Sequence, residues 1–270
     1  MRFLKYINIL SVDVVLASLA ISYMLAFVHN LDMHWSVYTA LAVMVWLIYT
    51  FDHLMDAKSI GANVTSDRHR FHQQYFKQII YYWSVLLIAS AFVLLPHLPH
   101  RTILFGVLGS VFVIVHFVFV KLLGSKLSVW IQKEFGVALV FTLGVFIGPL
   151  SYLKSFDDAL LLDFIRLFLV AFFNLIMYSL FDLGIDRAQN QTSLTRYLGE
   201  KNTRFFLIGL DSLFLLTCVF NQFNSSFFFF FFVLLFYNGM VFLKLGGKTQ
   251  QYFRLVGDSI LIGAVLVPFI

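Results

Sequence analysis

The chain has a single cysteine, Cys218, so it can form no intramolecular disulfide. Four prolines and fifteen glycines in 270 residues exclude a collagen-like repeat, a proline-rich rod and a flexible linker array. Charge is scarce as well: 12% of the residues are Asp, Glu, Lys or Arg, where a water-soluble domain carries about a quarter. What replaces charge is apolar, with 60% hydrophobic residues, 34 phenylalanines and a mean hydropathy of +0.87. This composition excludes a water-soluble domain and defines an integral membrane protein. The net charge of +5 does not imply a nucleic-acid partner, because lysine and arginine placement in a membrane chain is first a signal of topology.

Nine apolar stretches of about 16 to 22 residues, long enough to cross about 30 Å of hydrocarbon, fall at 7–28, 35–51, 79–95, 102–120, 135–150, 164–181, 205–220, 227–243 and 255–270. No alternation of apolar and polar residues marks a membrane β-barrel. The first stretch follows Arg2 and Lys5 and exceeds the usual length of a signal-peptide core, so it is read as a retained helix. With the N-terminus in the cytoplasm, all but Arg101, Lys154 and Arg166 of the 19 basic residues fall on the inner side. The expected fold is an all-α bundle of nine transmembrane helices forming one domain over 1–270. Its C-terminus lies outside, and a central cavity opens near the cytoplasmic face beneath capping loops 57–77 and 183–204.

Carboxylates are costly inside a membrane, and here they gather toward one side. Asp52 and Asp56 close the second span, and Asp182 and Asp186 close the sixth. A spacing of four residues sets both acids of a pair on one helix face, one turn apart. On the sixth span the stripe runs back through Tyr178 to Asn174, while Tyr49 stands one turn before Asp52. One such pair can simply mark a helix end in the headgroup zone. Two pairs at equal depth, each followed by a basic loop, point to a cation site beside an anion site. Carboxylate oxygens suit Mg²⁺, which commonly bridges one or two carboxylates to phosphate oxygens. Arg68, Arg70, Lys121 and Arg187 are the candidate grips for a diphosphate.

The order Asp52-x-x-x-Asp56, then Asn174 through Tyr178 and Asp182-x-x-x-Asp186, resembles the UbiA-type intramembrane prenyltransferase superfamily, as does the count of nine helices. The resemblance spans nearly the whole chain and includes Lys133-Glu134 and the run from Tyr252 to Asp258. It departs from the family where Ile48 and Tyr49 precede Thr50-Phe51-Asp52, so that only the last two acids of the first motif remain. It departs again at Phe117-x-x-x-Lys121, which keeps the family's lysine without its tyrosine.

The resemblance implies that Mg²⁺ held by Asp52, Asp56, Asp182 and Asp186 assists ionisation of an allylic isoprenyl diphosphate. The prenyl group then passes to an aromatic or other lipophilic acceptor, with Asp13, Glu134 or Asp258 positioning or deprotonating it. An alkene of the same chain as acceptor would make the protein a terpene cyclase, and a member without turnover would bind isoprenoid lipid. The expected setting is a bacterial cytoplasmic membrane. His53, His69 and His72 prompt a di-iron hydroxylase as a rival, which needs more imidazoles on one side than the chain supplies. A carrier is a further rival, disfavoured because the polar groups lie at helix ends rather than at mid-depth.

Overall fold

The computed structural model describes residues 2–60, 67–123, 129–155, 157–188, 193–220, 223–243 and 250–269. Among them every regular element is helical and there is no sheet. In chain order the helices are α1 (Arg2–Ile9), α2 (Val12–Val28), α3 (Trp35–Ile60), α4 (Asp67–Gln74), α5 (Phe76–Leu94) and α6 (His100–Leu123). They continue as α7 (Val129–Tyr152), α8 (Asp158–Phe181), α9 (Leu183–Ala188), α10 (Leu194–Leu216), α11 (Ser225–Phe242) and α12 (Gln250–Ile262). Seven of these are long and apolar enough to cross a membrane, and Val12–Val28 and Val256–Phe269 are shorter apolar helices. The protein is a multi-pass integral membrane protein.

The centre of the bundle is α8, of which 72% of the membrane window is buried, against 6% for α5 and for α6. The main apolar core joins α8 to α2, α7, α10, α11 and α12 through side chains such as Met24, Phe146, Phe173, Phe230 and Tyr237. The phenylalanine run of α11 divides by face: Phe227 and Phe230 enter this core, whereas Phe228 and Phe232 are exposed. A helix in lipid needs no polar outer face, so α5 and α6 present their apolar side chains outward.

Several boundaries differ from the sequence expectation, four of them with a break or a change of helix end. The first span is broken: Ser11 takes a left-handed backbone (φ 55°) between α1 and α2. The second does not end at its acids. It continues to Ile60, so Asp52 and Asp56 lie within α3 and their shared face is fixed by continuous helix. The sixth span instead stops at Asp182, which is the C-terminal cap of α8, and Asp186 falls on the separate short α9. The single helical stripe expected to carry both acids is therefore interrupted between them. In the last span the α-helix gives way to a 3₁₀ turn at Gly263–Phe269.

Candidate functional site

Helical periodicity builds one cavity of ≈ 280 Å³, walled chiefly by α3, α8 and α12. On α3, Tyr49, Asp52, His53 and Asp56 follow the i, i+3, i+4, i+7 pattern of a single face. On α8 the same pattern runs through Ala171, Asn174, Leu175, Tyr178, Ser179 and Asp182. On α12 it runs through Arg254, Asp258 and Leu261. Glu134, Val137, Ala138 and Phe141 of α7 complete the wall, and Arg68 and His69 of α4 lie across it. At 1.5 Å per residue the α8 stripe from Asp182 to Asn174 spans about 12 Å.

The acids of this cavity have cationic and hydrogen-bonding partners. Arg254 pairs with Asp182, its Nε donating to Oδ2 at 3.1 Å and its Nη2 donating to the same oxygen. Lys133 Nζ lies 3.9 Å from Asp56 Oδ2. Asp258 Oδ1 accepts from Tyr178 Oη at 2.8 Å and from Asn174 Nδ2 at 3.3 Å. Glu134 Oε1 accepts from the backbone N–H of Leu194 at 3.0 Å, which satisfies the first turn of α10. Asn174 Oδ1 and Ser179 Oγ are buried with no hydrogen-bond partner among the described residues.

Tyr178 is held where α8 and α12 touch. A Cβ on Gly257 would meet its hydroxyl and, at 3.1 Å, its ring carbons, so the contact requires glycine. The Tyr178 hydroxyl also meets the Arg254 carbonyl at 3.0 Å.

Across the cavity, Arg68 Nη1 approaches His53 Nε2 at 3.3 Å, and Ser11 Oγ reaches the same nitrogen at 3.0 Å. A guanidinium only donates, so Nε2 of His53 accepts and the ring proton sits on Nδ1. Burial and then the charge of Arg254 push the Arg68 guanidinium down to about 10, which leaves it cationic at neutral pH. Burial, followed by the charge of Arg68, pushes His69 down to about 4. Burial opposes the charge of Arg254, but the Asp182 carboxylate outweighs it and raises the guanidinium above its ordinary value.

The structure thus brings together Asp52, Asp56, Asp182, Tyr49, Asn174, Tyr178, Asp258 and Arg68. It does not bring in all the sequence candidates. Arg70 and Arg187 are exposed and line no part of the cavity. Asp13 is buried but turns to Asn8 Nδ2 at 2.7 Å and to the backbone N–H of Val14 at 3.0 Å, ordering the first turn of α2. The side chains of Lys121 and Asp186 lie outside the described residues. Conversely, Arg254 and Lys133 enter the cavity without having been singled out as site residues, and His53, weighed only as an iron ligand, enters it as well. Arg254 was legible one turn before Asp258 on α12, and His53 beside Asp52 on α3.

The donor set bears on a metal. Among the described residues no three His, Cys, Asp or Glu side chains gather as a metal site. Two carboxylates one turn apart on α3 nevertheless fit Mg²⁺, which takes one or two protein oxygens when phosphate supplies others. Asp182 fits less well, because its Oδ2 already takes two N–H groups from Arg254.

A second cavity of ≈ 560 Å³ lies between α3, α5, α6 and α7, lined by apolar residues such as Leu41, Met44, Trp83, Phe112 and Ile147. Tyr49 and Phe141 line both cavities, so the polar chamber and the apolar one meet at these two rings. Comparisons with family models, curated proteins and solved structures find no match to this chain.

Proposed function

We propose that the protein is a Mg²⁺-dependent intramembrane prenyltransferase that ionises an allylic isoprenyl diphosphate and transfers the prenyl group to a lipophilic acceptor. The observation that carries this reading is the meeting of two cavities of opposite character. One holds Asp52, Asp56, Arg68, Lys133 and Arg254, and the other is apolar. Arg68, Lys133 and Arg254 crowd with Asp52, Asp56, Glu134, Asp182 and Asp258 around one small chamber, where a magnesium-bound anion would separate like charges, while the second cavity suits a hydrocarbon. A diphosphate joined to a long hydrocarbon meets both demands, its head in the polar chamber and its chain in the apolar one.

The residues divide the work accordingly. Arg68, Lys133 and Arg254 take the outer oxygens of the diphosphate, where charge-assisted N–H bonds to phosphate are strong. Asp52 and Asp56 would hold Mg²⁺, which when bound would neutralise charge on the leaving group. As the C1–O bond breaks, its electron pair leaves with the diphosphate. The faces of Tyr49 and Phe141 meet the allylic cation where the chambers join, and an aromatic face contributes about 0.5–2 kcal/mol to such a cation. An electron pair of the acceptor then forms the new bond to C1, and Asp258, at the inner end of the polar wall, takes the proton that the acceptor loses.

In this reading α2 and the segment Val256–Phe269 cross the membrane with the seven longer spans. The N-terminus and the polar chamber face the cytoplasm, and the C-terminus lies outside. The setting is a bacterial cytoplasmic membrane. The test is to incubate purified protein in detergent with isoprenyl diphosphates of several lengths, with and without Mg²⁺, and measure pyrophosphate and products by mass. Mg²⁺-dependent pyrophosphate release is expected. Release from none of them would overturn the proposal in favour of a lipid-binding protein, and cyclised hydrocarbon would select a cyclase.

A further inference from the structure

Asp182 belongs by sequence to the second acidic pair, yet its geometry is that of an arginine holder. Arg254 Nε and Nη2 both donate to its Oδ2, the first at 3.1 Å. The same guanidinium lies 5.3 Å from the centre of the Tyr178 ring. The backbone of Arg254 is fixed too, since its carbonyl meets the Tyr178 hydroxyl. Three contacts from α8 therefore set the position of one side chain on α12. A guanidinium carries five N–H donors in a rigid fork, and Asp182 engages its Nε and Nη2, which leaves the Nη1 side of the fork facing away from that carboxylate. Moving Asp182 onto a metal would leave this cation without its counter-charge. Independently, no three acids gather as a metal site among the described residues, so Asp182 does not close a coordination sphere with Asp52 and Asp56.

We propose that Asp182 is a positioning residue for Arg254, that Arg254 grips the diphosphate through its Nη1 side, and that Asp182 is not a ligand of the metal held by Asp52 and Asp56. This rests on the diphosphate reading above and refines it. Asp182 then acts through a cation rather than through a metal. Arg68, on the opposite wall, would grip the other side of the same anion.

The full chain in detergent supplies the test, with Mn²⁺ read by electron paramagnetic resonance and inorganic pyrophosphate by calorimetry. Asp182→Asn, which keeps the shape of the side chain, should bind Mn²⁺ within about threefold of the unaltered protein while losing pyrophosphate affinity about tenfold, the loss of one well-aligned charge-assisted grip. Arg254→Gln should lose pyrophosphate affinity to the same degree, and the double variant should lose little more, because the two act as one unit. Arg254→Lys, with charge but no fork, should fall between. Asp52→Asn should lose Mn²⁺.

An Asp182→Asn variant that loses Mn²⁺ as severely as Asp52→Asn overturns the proposal. So does an Arg254→Gln variant with undiminished pyrophosphate binding. If the unaltered protein binds pyrophosphate and one of those results appears, the diphosphate reading stands and only the role of Asp182 and Arg254 is lost. If it binds Mn²⁺ but no pyrophosphate, the diphosphate reading itself fails, and the grip assigned to Arg254 fails with it.

Discussion

Two polar regions are buried in this bundle, and they are built in opposite ways. One is the chamber walled by α3, α8 and α12. The other surrounds Asp163, near the start of α8, where α2, α8, α10 and α11 bring their ends together. Asp163 Oδ1 accepts from Arg166 at 3.2 Å, and its Oδ2 accepts from Ser226 at 2.6 Å, Asn224 at 3.1 Å and His29 at 3.0 Å. Arg166 is fully buried, donates to Thr217 and lies 4.8 Å from the centre of the Phe227 ring. Neither cavity touches this cluster.

The chamber, by contrast, has open volume, oxygens on Asn174 and Ser179 without a partner among the described residues, and two arginines, Arg68 and Arg254, whose charges act on one another. A saturated network without space holds helices together. An unsaturated one around space asks for a ligand. Charge inside a membrane is costly in both settings, and only the arrangement tells the two uses apart.

Substitutions sharpen this contrast. The largest effect is expected from Asp52→Ala, which should lower pyrophosphate release by about a thousandfold or more, through loss of metal-assisted charge neutralisation. The folded bundle should persist, as checked by monodisperse elution and a retained melting transition. Full activity would remove Asp52 from the site.

Asp163→Ala should do the reverse. It leaves Arg166 buried without its counter-charge, a loss of about 3–5 kcal/mol, seen as a large fall in Tm in detergent. Asp258→Asn in the chamber should cost far less, within about 1 kcal/mol, because functional positions are seldom optimised for stability. Equal losses in these two variants would erase the contrast between the regions. Gly257→Ala should cost about 1–3 kcal/mol through overpacking against Tyr178, and should also weaken pyrophosphate binding by displacing the ring on which Arg254 rests.

The smallest effect is a pH dependence at His29. Its Nδ1 lies 3.1 Å from Asp157 Oδ2 and its Nε2 lies 3.0 Å from Asp163 Oδ2, so each nitrogen needs a proton and the ring is an imidazolium. Burial pushes the ring down, but the bond to Asp163 and the charges of Asp163 and Asp157 raise it above its ordinary value. Arg166 faces the same Asp163 from the other side. A group raised on folding contributes stability fully below its unfolded value of about 6.5. That contribution is lost as pH rises through the higher folded value. Tm should therefore decline over that interval by less than Asp163→Ala lowers it, and His29→Gln should flatten the profile. A profile unchanged by His29→Gln would assign the dependence elsewhere.

Much of the chamber is legible in the sequence. Tyr49, Asp52 and Asp56 share a face because a helix repeats every 3.6 residues, and so do Asn174, Tyr178 and Asp182. The same arithmetic failed where helices break. It carried one stripe through Asp182 to Asp186, across the cap that ends α8. It treated Arg70 and Arg187 as equals of Arg68, although a charge run in a loop says nothing about which member turns inward, and both are exposed. Of the Asp163 network only the Arg166 pair, three residues on, is local; His29 stands 134 residues before its partner.

By itself the sequence determined that this chain lives in a membrane, that it is helical, and which residues share each helix face. Those follow from composition and from a period of a few residues. Only the tertiary structure decided which acid meets which distant base: Asp182 with Arg254 across 72 residues of chain, Asp56 with Lys133, and Asp163 with His29. The reason is that electrostatic and hydrogen-bonding energies depend on separation in space, and helix packing sets that separation independently of distance along the chain.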